Sequence, residues 1–297
     1  MKIKTSVHSQ RCLHWPLLIV FASSGFALFG CSLERAPFMS PQGPIAVSQN
    51  ELFFTALALM MVVVVPVFVM TGWFAWRYRA SNDGAKYEPE WDESRLVDLL
   101  IWGVPAILVL ALAAMVWQAT HELDPYRPIS TNAEPLEVQV IAQDWKWLFV
   151  YPQYGVAAVN ELAFPVEQPI KLRITSDTVM NALFIPALGG QIYAMAGMES
   201  QLNLQASNTG RFFGRNTQYS GDGFSDQEFH AIAMTNEEFS VWVENVRDSS
   251  SDLSLSAYAE LRAPSTAHPV TYYKNVDPEL FTDVMSKYMA HPPLESK

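Results

Sequence analysis

Two uncharged stretches, LFFTALALMMVVVVPVFVMTGWFAW (residues 52–76) and LLIWGVPAILVLALAAMVWQAT (residues 99–120), decide the fold of this chain. They hold 25 and 22 residues without a charged side chain. At a helical rise of about 1.5 Å per residue, the shorter stretch extends about 33 Å, enough to cross a hydrocarbon core about 30 Å thick. Because backbone in lipid must satisfy its own hydrogen bonds, both stretches are predicted to be membrane-spanning helices.

The connector between the two helices indicates their orientation. Its basic residues outnumber those of the short outer flanks, which carry little more than Arg35 and Arg127; the connector holds Arg77, Arg79, Lys86 and Arg95. Basic residues near membrane helices favour the cytoplasmic side. The sequence therefore predicts a transmembrane hairpin over residues 51–121 with both ends outside.

The N-terminal region has the pattern of a secretory signal. Lys2, Lys4 and Arg11 precede an apolar stretch over residues 15–29, which is too short to span a membrane comfortably. The stretch ends in LFGC (residues 28–31), which resembles a bacterial lipobox, where the peptide is cut before Cys31 and the thiol is acylated. A free thiol or a pairing with Cys12 are the alternatives. The prediction is a lipoprotein signal peptide over residues 1–30 and an outer linker over residues 31–50.

Beyond the hairpin, short alternating apolar runs replace the long ones. They occur at residues 136–140, 170–174 and 202–206 and predict half-buried strands of a small antiparallel sandwich or barrel over residues 122–235. Thr235 and Glu238 form a candidate capping box that opens a helical extension over residues 236–297. A second helix is predicted near the end, with Asp277 as its N-cap.

Charge and length limit the function of the outer region. It holds 21 acidic against 11 basic residues from residue 124 onward, in a chain of net charge -11. Such a balance argues against nucleic acid as a partner. About 170 residues are enough for one domain with its own core.

Several motifs carry a resemblance to a known family. They are WKW (residues 145–147), QIYAMAGM (residues 191–198) and YSGDGF (residues 219–224). With the lipobox and the hairpin, they resemble subunit II of the haem-copper respiratory oxidases, and most of all its ubiquinol-oxidising, cytochrome bo branch. The resemblance implies a membrane-anchored fold: a two-helix hairpin, an all-β cupredoxin-like barrel and a C-terminal helical, aromatic-rich extension.

The resemblance also implies a setting. The chain would lie in a bacterial inner membrane, with its N-terminus and outer domain on the periplasmic side. Its partners would be oxidase subunit I, further oxidase subunits, membrane lipid and the ubiquinol bound by the complex. The haems and copper would reside in subunit I, with no cofactor in this chain.

The copper-binding branch of this family uses two cysteines, two histidines, a methionine and a glutamate carbonyl. Aligned on the matching motifs, this chain has Asn181 and Phe224 for the histidines, Asn216 and Ser220 for the cysteines, Gln227 for the methionine and Gln218 for the glutamate. No cysteine follows Cys31, so the outer domain has no thiolate, the soft ligand that copper electron-transfer sites need. We therefore predict a barrel without copper and without catalytic residues.

Asp98, at the inner mouth of the second helix, has two interpretations. Taken alone it is an interfacial acid favoured by the helix dipole. The resemblance implies instead a carboxylate where one proton channel of subunit I begins, with Asp in place of the family's Glu.

Two further sets of residues need an interpretation. His121, His230, His268 and His291 are scattered, without metal-ligand spacing. Trp145 and Trp147 stand at strand period, which predicts one packed aromatic face towards the membrane or subunit I.

Three function classes follow. The leading one is a structural, proton-path, non-catalytic subunit of a proton-pumping terminal ubiquinol oxidase. The second is subunit II of a cytochrome c oxidase, which would need the missing thiolates. The third is a free-standing membrane lipoprotein that serves as an interaction module.

Overall fold

A computed structural model describes residues 37–82, 84, 90, 92–131, 133–249 and 251–289. The predicted signal peptide, Cys31 and His291 lie outside these residues. The chain divides into two compact units, residues 1–40 and 41–297. Of the first unit, only residues 37–40 are described, and they contain a short 3-10 helix, Pro37–Met39.

Two long helices form the hairpin. Helix α1 spans Pro44–Arg77 and α2 spans Arg95–Glu122, and both are long and apolar enough to cross a membrane. Their apolar side chains are largely exposed in the isolated chain, as expected of surfaces that face lipid or a partner. Helix α1 begins at Pro44 rather than at residue 51, because proline suits the first helical position and nothing in the next residues breaks the helix.

In the part of the outer domain that the structure describes, twelve strands form two sheets. The seven-stranded sheet has the order β11-β12-β3-β2-β1-β5-β8, and the five-stranded sheet has the order β4-β10-β9-β6-β7. The strands are β1 Leu136–Gln143, β2 Lys146–Tyr151, β3 Val156–Val159, β4 Glu161–Pro165, β5 Ile170–Ser176, β6 Asn181–Phe184, β7 Gln191–Ala194, β8 Ser200–Leu204, β9 Gly210–Asn216, β10 Glu228–Met234, β11 Ser251–Asp252 and β12 Thr271–Lys274.

The sheets are mixed, so the prediction of an antiparallel barrel is wrong in that detail. Strand β1 pairs with β5 in parallel, and β10 pairs with β4 in parallel. The cause is the path of the chain: it crosses to the second sheet at β4 and returns beside β1 in the same direction. The three alternating runs of the sequence do form strands, namely β1, β5 and β8.

The strands are more deeply buried than the half-burial that their alternation predicts. The C-terminal helices α4 (Leu255–Leu261) and α5 (Leu280–Met289) cover the outer face of the seven-stranded sheet. There Leu261, Phe281 and Val284 pack with Ile141 and Leu148 in a second core. Polar residues of β1 are buried as a result, with Gln143 only 1% exposed.

Helix α3 (Asn236–Ser249) joins the first core, between the two sheets. Its Phe239, Val243 and Val246 are buried there. The predicted capping box is present: Thr235 N donates to Glu238 Oε2 over 2.9 Å, and Glu238 N donates to Thr235 Oγ1 over 3.2 Å. At the predicted domain boundary, residue 235, the chain changes from strand to helix. The extension beyond it contributes buried residues to both hydrophobic cores, together with the strands of the barrel.

Both outer ends of the hairpin are bound to the barrel. Before α1, Gln42 N donates to Ala187 O and Gln42 O accepts from Ser207 N, each over 2.8 Å. After α2, Pro125 O accepts from the backbone and side-chain amides of Asn203. These bonds join the two helices to the region around β7 and β8.

Candidate functional site

The positions aligned with copper ligands lie at one end of the five-stranded sheet. Asn181 opens β6 and Asn216 closes β9, its neighbour in that sheet. Ser220 lies in the loop after β9, and Gln227 directly precedes β10. Topology therefore gathers residues that are far apart in the sequence.

Four of the six side chains form a hydrogen-bonded group, here called the amide cluster: Asn181, Asn216, Ser220 and Gln227. Asn216 Nδ2 donates to Asn181 Oδ1 over 2.7 Å, to Gln227 Oε1 over 2.8 Å and to Ser220 Oγ over 3.2 Å. Ser220 Oγ donates to Gln227 Oε1 over 3.0 Å. Asn181 and Asn216 are 0% and 3% exposed, so these bonds are shielded from water.

Asn216 also organises the backbone around the cluster. Its Oδ1 accepts from Ala182 N over 2.8 Å and from Gln218 N over 3.0 Å. Only the backbone of Gln218 takes part, and among the described residues neither the Gln218 nor the Phe224 side chain bonds to the cluster. The Phe224 ring instead packs on Tyr219, with centroids 5.6 Å apart, beside a cavity of about 320 Å³.

Trp145 lies against this loop and not on the face of Trp147, so the prediction of one shared aromatic face is wrong. Residues 144 and 145 form the tight turn between β1 and β2, and Trp145 has a φ of 63°. Its Nε1 donates to Ser220 O over 3.1 Å, and its ring contacts Gly223 so closely that a Cβ there would lie 2.3 Å away. Trp147 is fully buried on β2.

The amide cluster does not fit copper. Its donors are amide and hydroxyl groups, whereas copper electron-transfer sites use thiolate and imidazole. Moreover, the Asn216 amide fills the middle of the cluster with N–H groups that point at the neighbouring oxygens. Within the described residues, no three His, Cys, Asp or Glu side chains converge as metal ligands.

The remaining predicted residues lie elsewhere. Asp98 is exposed in the first turn of α2. His121 lies at the end of α2, where its ring packs on Trp117. His230 is on β10, where burial and the nearby Arg211 lower its pKa, and the His268 side chain bonds to Pro269 O.

Three buried polar residues beside the cluster escape the sequence reasoning. Asp177, with a side chain 1% exposed, accepts bonds from the C-terminal extension. Lys146 is fully buried and donates to Ala263 O and Ser265 Oγ, and burial lowers its pKa. Both amide atoms of Gln143 are buried without a partner among the described residues. The sequence contains one sign of this burial: Lys146 stands between two tryptophans at the start of an apolar strand. Asp177 has the pattern of an ordinary turn residue.

Comparison with known proteins identifies the class. The chain matches the model of the cytochrome c oxidase subunit II periplasmic domain over residues 155–231 and the COX aromatic rich motif over residues 247–292. It is 47% identical over 268 residues to the ubiquinol oxidase subunit 2 of Acetobacter aceti, covering 90% of this chain and 86% of that protein. The chain therefore belongs to the subunit II family of the respiratory oxidases.

Two other relatives indicate which branch of the family the chain belongs to. The cytochrome bo(3) ubiquinol oxidase subunit 2 of Pseudomonas aeruginosa is 45% identical, over 89% of this chain and 79% of that protein. The quinol oxidase subunit 2 of Bacillus subtilis is 34% identical, over 95% and 85%. The branch of the family is that of ubiquinol oxidase subunit 2, as the sequence motifs predict, and the outer domain is cupredoxin-like.

Proposed function

We propose that this chain is the metal-free subunit II of a proton-pumping terminal ubiquinol oxidase. The observation that carries the proposal is the amide cluster, in which Asn216 bonds to three side chains where copper ligands would stand. A barrel of this kind cannot take up an electron. Electrons from ubiquinol would therefore pass directly to the haems and copper of subunit I, and this chain would be non-catalytic.

The chain's own part is structural. The hairpin presents two apolar helices to lipid and to the membrane part of the partner. The hydrogen bonds at Gln42 and Pro125 join the barrel to the outer ends of those helices, which supports a role in which the barrel would cover the outer surface of subunit I. Further oxidase subunits would complete the assembly in the bacterial inner membrane, with the barrel on the periplasmic side.

Two residues outside the barrel complete the proposal. Asp98, exposed at the start of α2, would supply a carboxylate where a proton path of subunit I begins. Cys31 would carry acyl chains, including palmitate, after removal of the signal peptide.

Purification of the tagged chain from its natural membrane in mild detergent tests the role. We expect haem to co-purify in constant ratio, together with ubiquinol oxidase activity that needs no cytochrome c. Metal analysis should find the copper of subunit I and no additional copper bound to this chain. Isolation of a lone chain without haem, or a binuclear copper signal from the barrel, would contradict the proposal.

A further inference from the structure

The carboxylate of Asp177 collects donors from three places in the C-terminal extension. Its Oδ1 accepts from Lys287 Nζ over 2.6 Å and from Tyr288 OH over 2.9 Å. Its Oδ2 accepts from Tyr258 OH over 2.8 Å and lies 3.3 Å from Arg262 Nε. Two phenols and two cations therefore meet on one buried carboxylate.

The donors lie on or directly after the two C-terminal helices. Tyr258 is on α4, Arg262 follows α4, and Lys287 and Tyr288 are in the last turn of α5. At its first turn α5 is held differently: the Arg173 guanidinium lies 5.2 Å from the centre of the Phe281 ring. Arg173 is on β5, and Asp177 directly follows that strand. Strand β5 therefore contacts the first turn of α5 through Arg173, and the residue after the strand binds the last turn of α5 through its carboxylate.

Asp177 also belongs to the loop that leads into the amide cluster. On one side of it, Ser176 Oγ accepts from Asn181 Nδ2 over 3.4 Å and donates to Val179 O over 2.7 Å. On the other side, the Thr178 hydroxyl donates to the Asp144 carboxylate, next to Trp145. Residues 176–181 therefore touch the extension, the cluster and the tryptophan turn.

We propose that Asp177 is the docking site of the C-terminal extension and that residues 176–181 couple this docking to the amide cluster. A carboxylate is needed because Tyr258, Lys287 and Tyr288 all donate to its two oxygens, and because Arg262 brings a second positive charge close to Oδ2. Asparagine in its place would offer one acceptor oxygen. Its NH₂ group would face either Lys287 and Tyr288, at the position of Oδ1, or Tyr258 and Arg262, at the position of Oδ2. Because the carboxylate accepts hydrogen bonds from both C-terminal helices, its replacement weakens several charge-assisted bonds at once, and the extension would open locally.

Hydrogen exchange measured by mass spectrometry on the full chain in detergent tests the proposal. In Asp177→Asn, we expect amides of α5 to exchange at least about tenfold faster than in the parent chain. Amides of residues 176–184 and 214–227 should also exchange faster, while those of β4, which has no residue in the second core, stay unchanged. The matched control is Asp283→Asn, an exposed carboxylate on the same helix, which should leave exchange in α5 nearly unaltered.

Parent-like exchange of α5 in Asp177→Asn, or equal acceleration in Asp283→Asn, would overturn the docking site. Faster exchange in α5 with unchanged exchange in residues 176–184 and 214–227 would overturn the coupling. If Asp177→Asn does not accumulate as a folded chain, Tyr258→Phe combined with Tyr288→Phe replaces it. This pair keeps the carboxylate and both cations, and should still speed exchange in α5 about threefold or more; no change would refute the proposal.

Discussion

At the scale of single residues, the amide cluster shows how a polar centre can be stable inside a barrel. The two N–H groups of the Asn216 amide reach three side-chain acceptors, with one N–H shared, and its Oδ1 accepts from two backbone N–H groups. Gln227 Nε2 adds a bond to Gln143 O over 3.4 Å. Each buried group left unpaired costs about 1 to 3 kcal/mol. Amide hydrogen bonds thus hold this end of the sheet together, and Asn216 is the residue on which they converge.

Asn216→Ala should therefore lower the free energy of unfolding by about 2 to 4 kcal/mol, because it leaves several buried partners unsatisfied. Asn208→Ala is the control: Asn208 is exposed and loses only one solvent-exposed bond, from its Nδ2 to Gln42 Oε1, so its change should stay within about 0.5 kcal/mol. Denaturant unfolding of the purified chain measures both. Equal stability of the two variants would show that the cluster contributes little.

The proposed role of Asp98 is also a property of one residue. An ionised carboxylate can accept a proton and pass it on, whereas an amide of the same shape cannot. Asp98→Asn should leave assembly and haem content intact and slow steady-state ubiquinol oxidation several-fold, while Asp98→Glu retains activity. Turnover by purified oxidase between pH 6 and 8 measures this. Parent-like turnover of Asp98→Asn would leave Asp98 as an interfacial acid.

At the scale of elements, local signals were predictable and long-range ones were not. The two apolar runs, the alternating strands and the capping box at Thr235 follow from periodicity and short-range hydrogen bonding, and all of them appear in the structure. The parallel pairing of β1 with β5 depends on the path of the whole chain. The prediction for Trp145 is wrong because it applies the two-residue period of a strand across a tight turn. Trp145 lies in that turn with a φ of 63°, where the chain reverses direction.

The same distinction applies to the candidate site. Family motifs predicted the six aligned positions, but composition gave no sign of which side chains would meet. The sequence does not indicate the burial of Asp177 and Lys146, because their partners are in the extension, 81 to 119 residues away. Burial of a charge by a distant segment leaves no periodic trace in the sequence.

The capping box gives a prediction at this scale. Thr235→Ala removes the acceptor of Glu238 N and should lower the free energy of unfolding by about 1 kcal/mol. Thr235→Ser keeps a hydroxyl and should cost only a few tenths of that value. Thermal unfolding of both variants measures the difference. If both variants unfold with the same midpoint, the cap does not contribute to the stability of α3.

At the scale of the whole molecule, the membrane hairpin and the barrel are joined by backbone contacts that leave no room for side chains. Gly43 directly precedes α1, and a Cβ added there would lie 2.1 Å from the backbone oxygen of Gln205. Gln205 follows β8, next to the segment whose Ser207 N donates to Gln42 O. The φ of Gly43 is −149°, which any residue adopts, so glycine is required here for space and not for backbone conformation.

Gly43→Ala should therefore push the start of α1 away from the barrel and weaken the bonds at Gln42, at a cost of about 1 to 3 kcal/mol. Gly72→Ala is the matched control, because a Cβ at Gly72, on the same helix, meets nothing within 4 Å. Thermal unfolding and hydrogen exchange of residues 41–52 and 203–208 in the full chain measure the effect. We expect faster exchange in both segments for Gly43→Ala and none for Gly72→Ala. Since a backbone oxygen cannot rotate aside as a flexible side chain can, unchanged exchange in Gly43→Ala would mean that the barrel is not held to α1 through this contact.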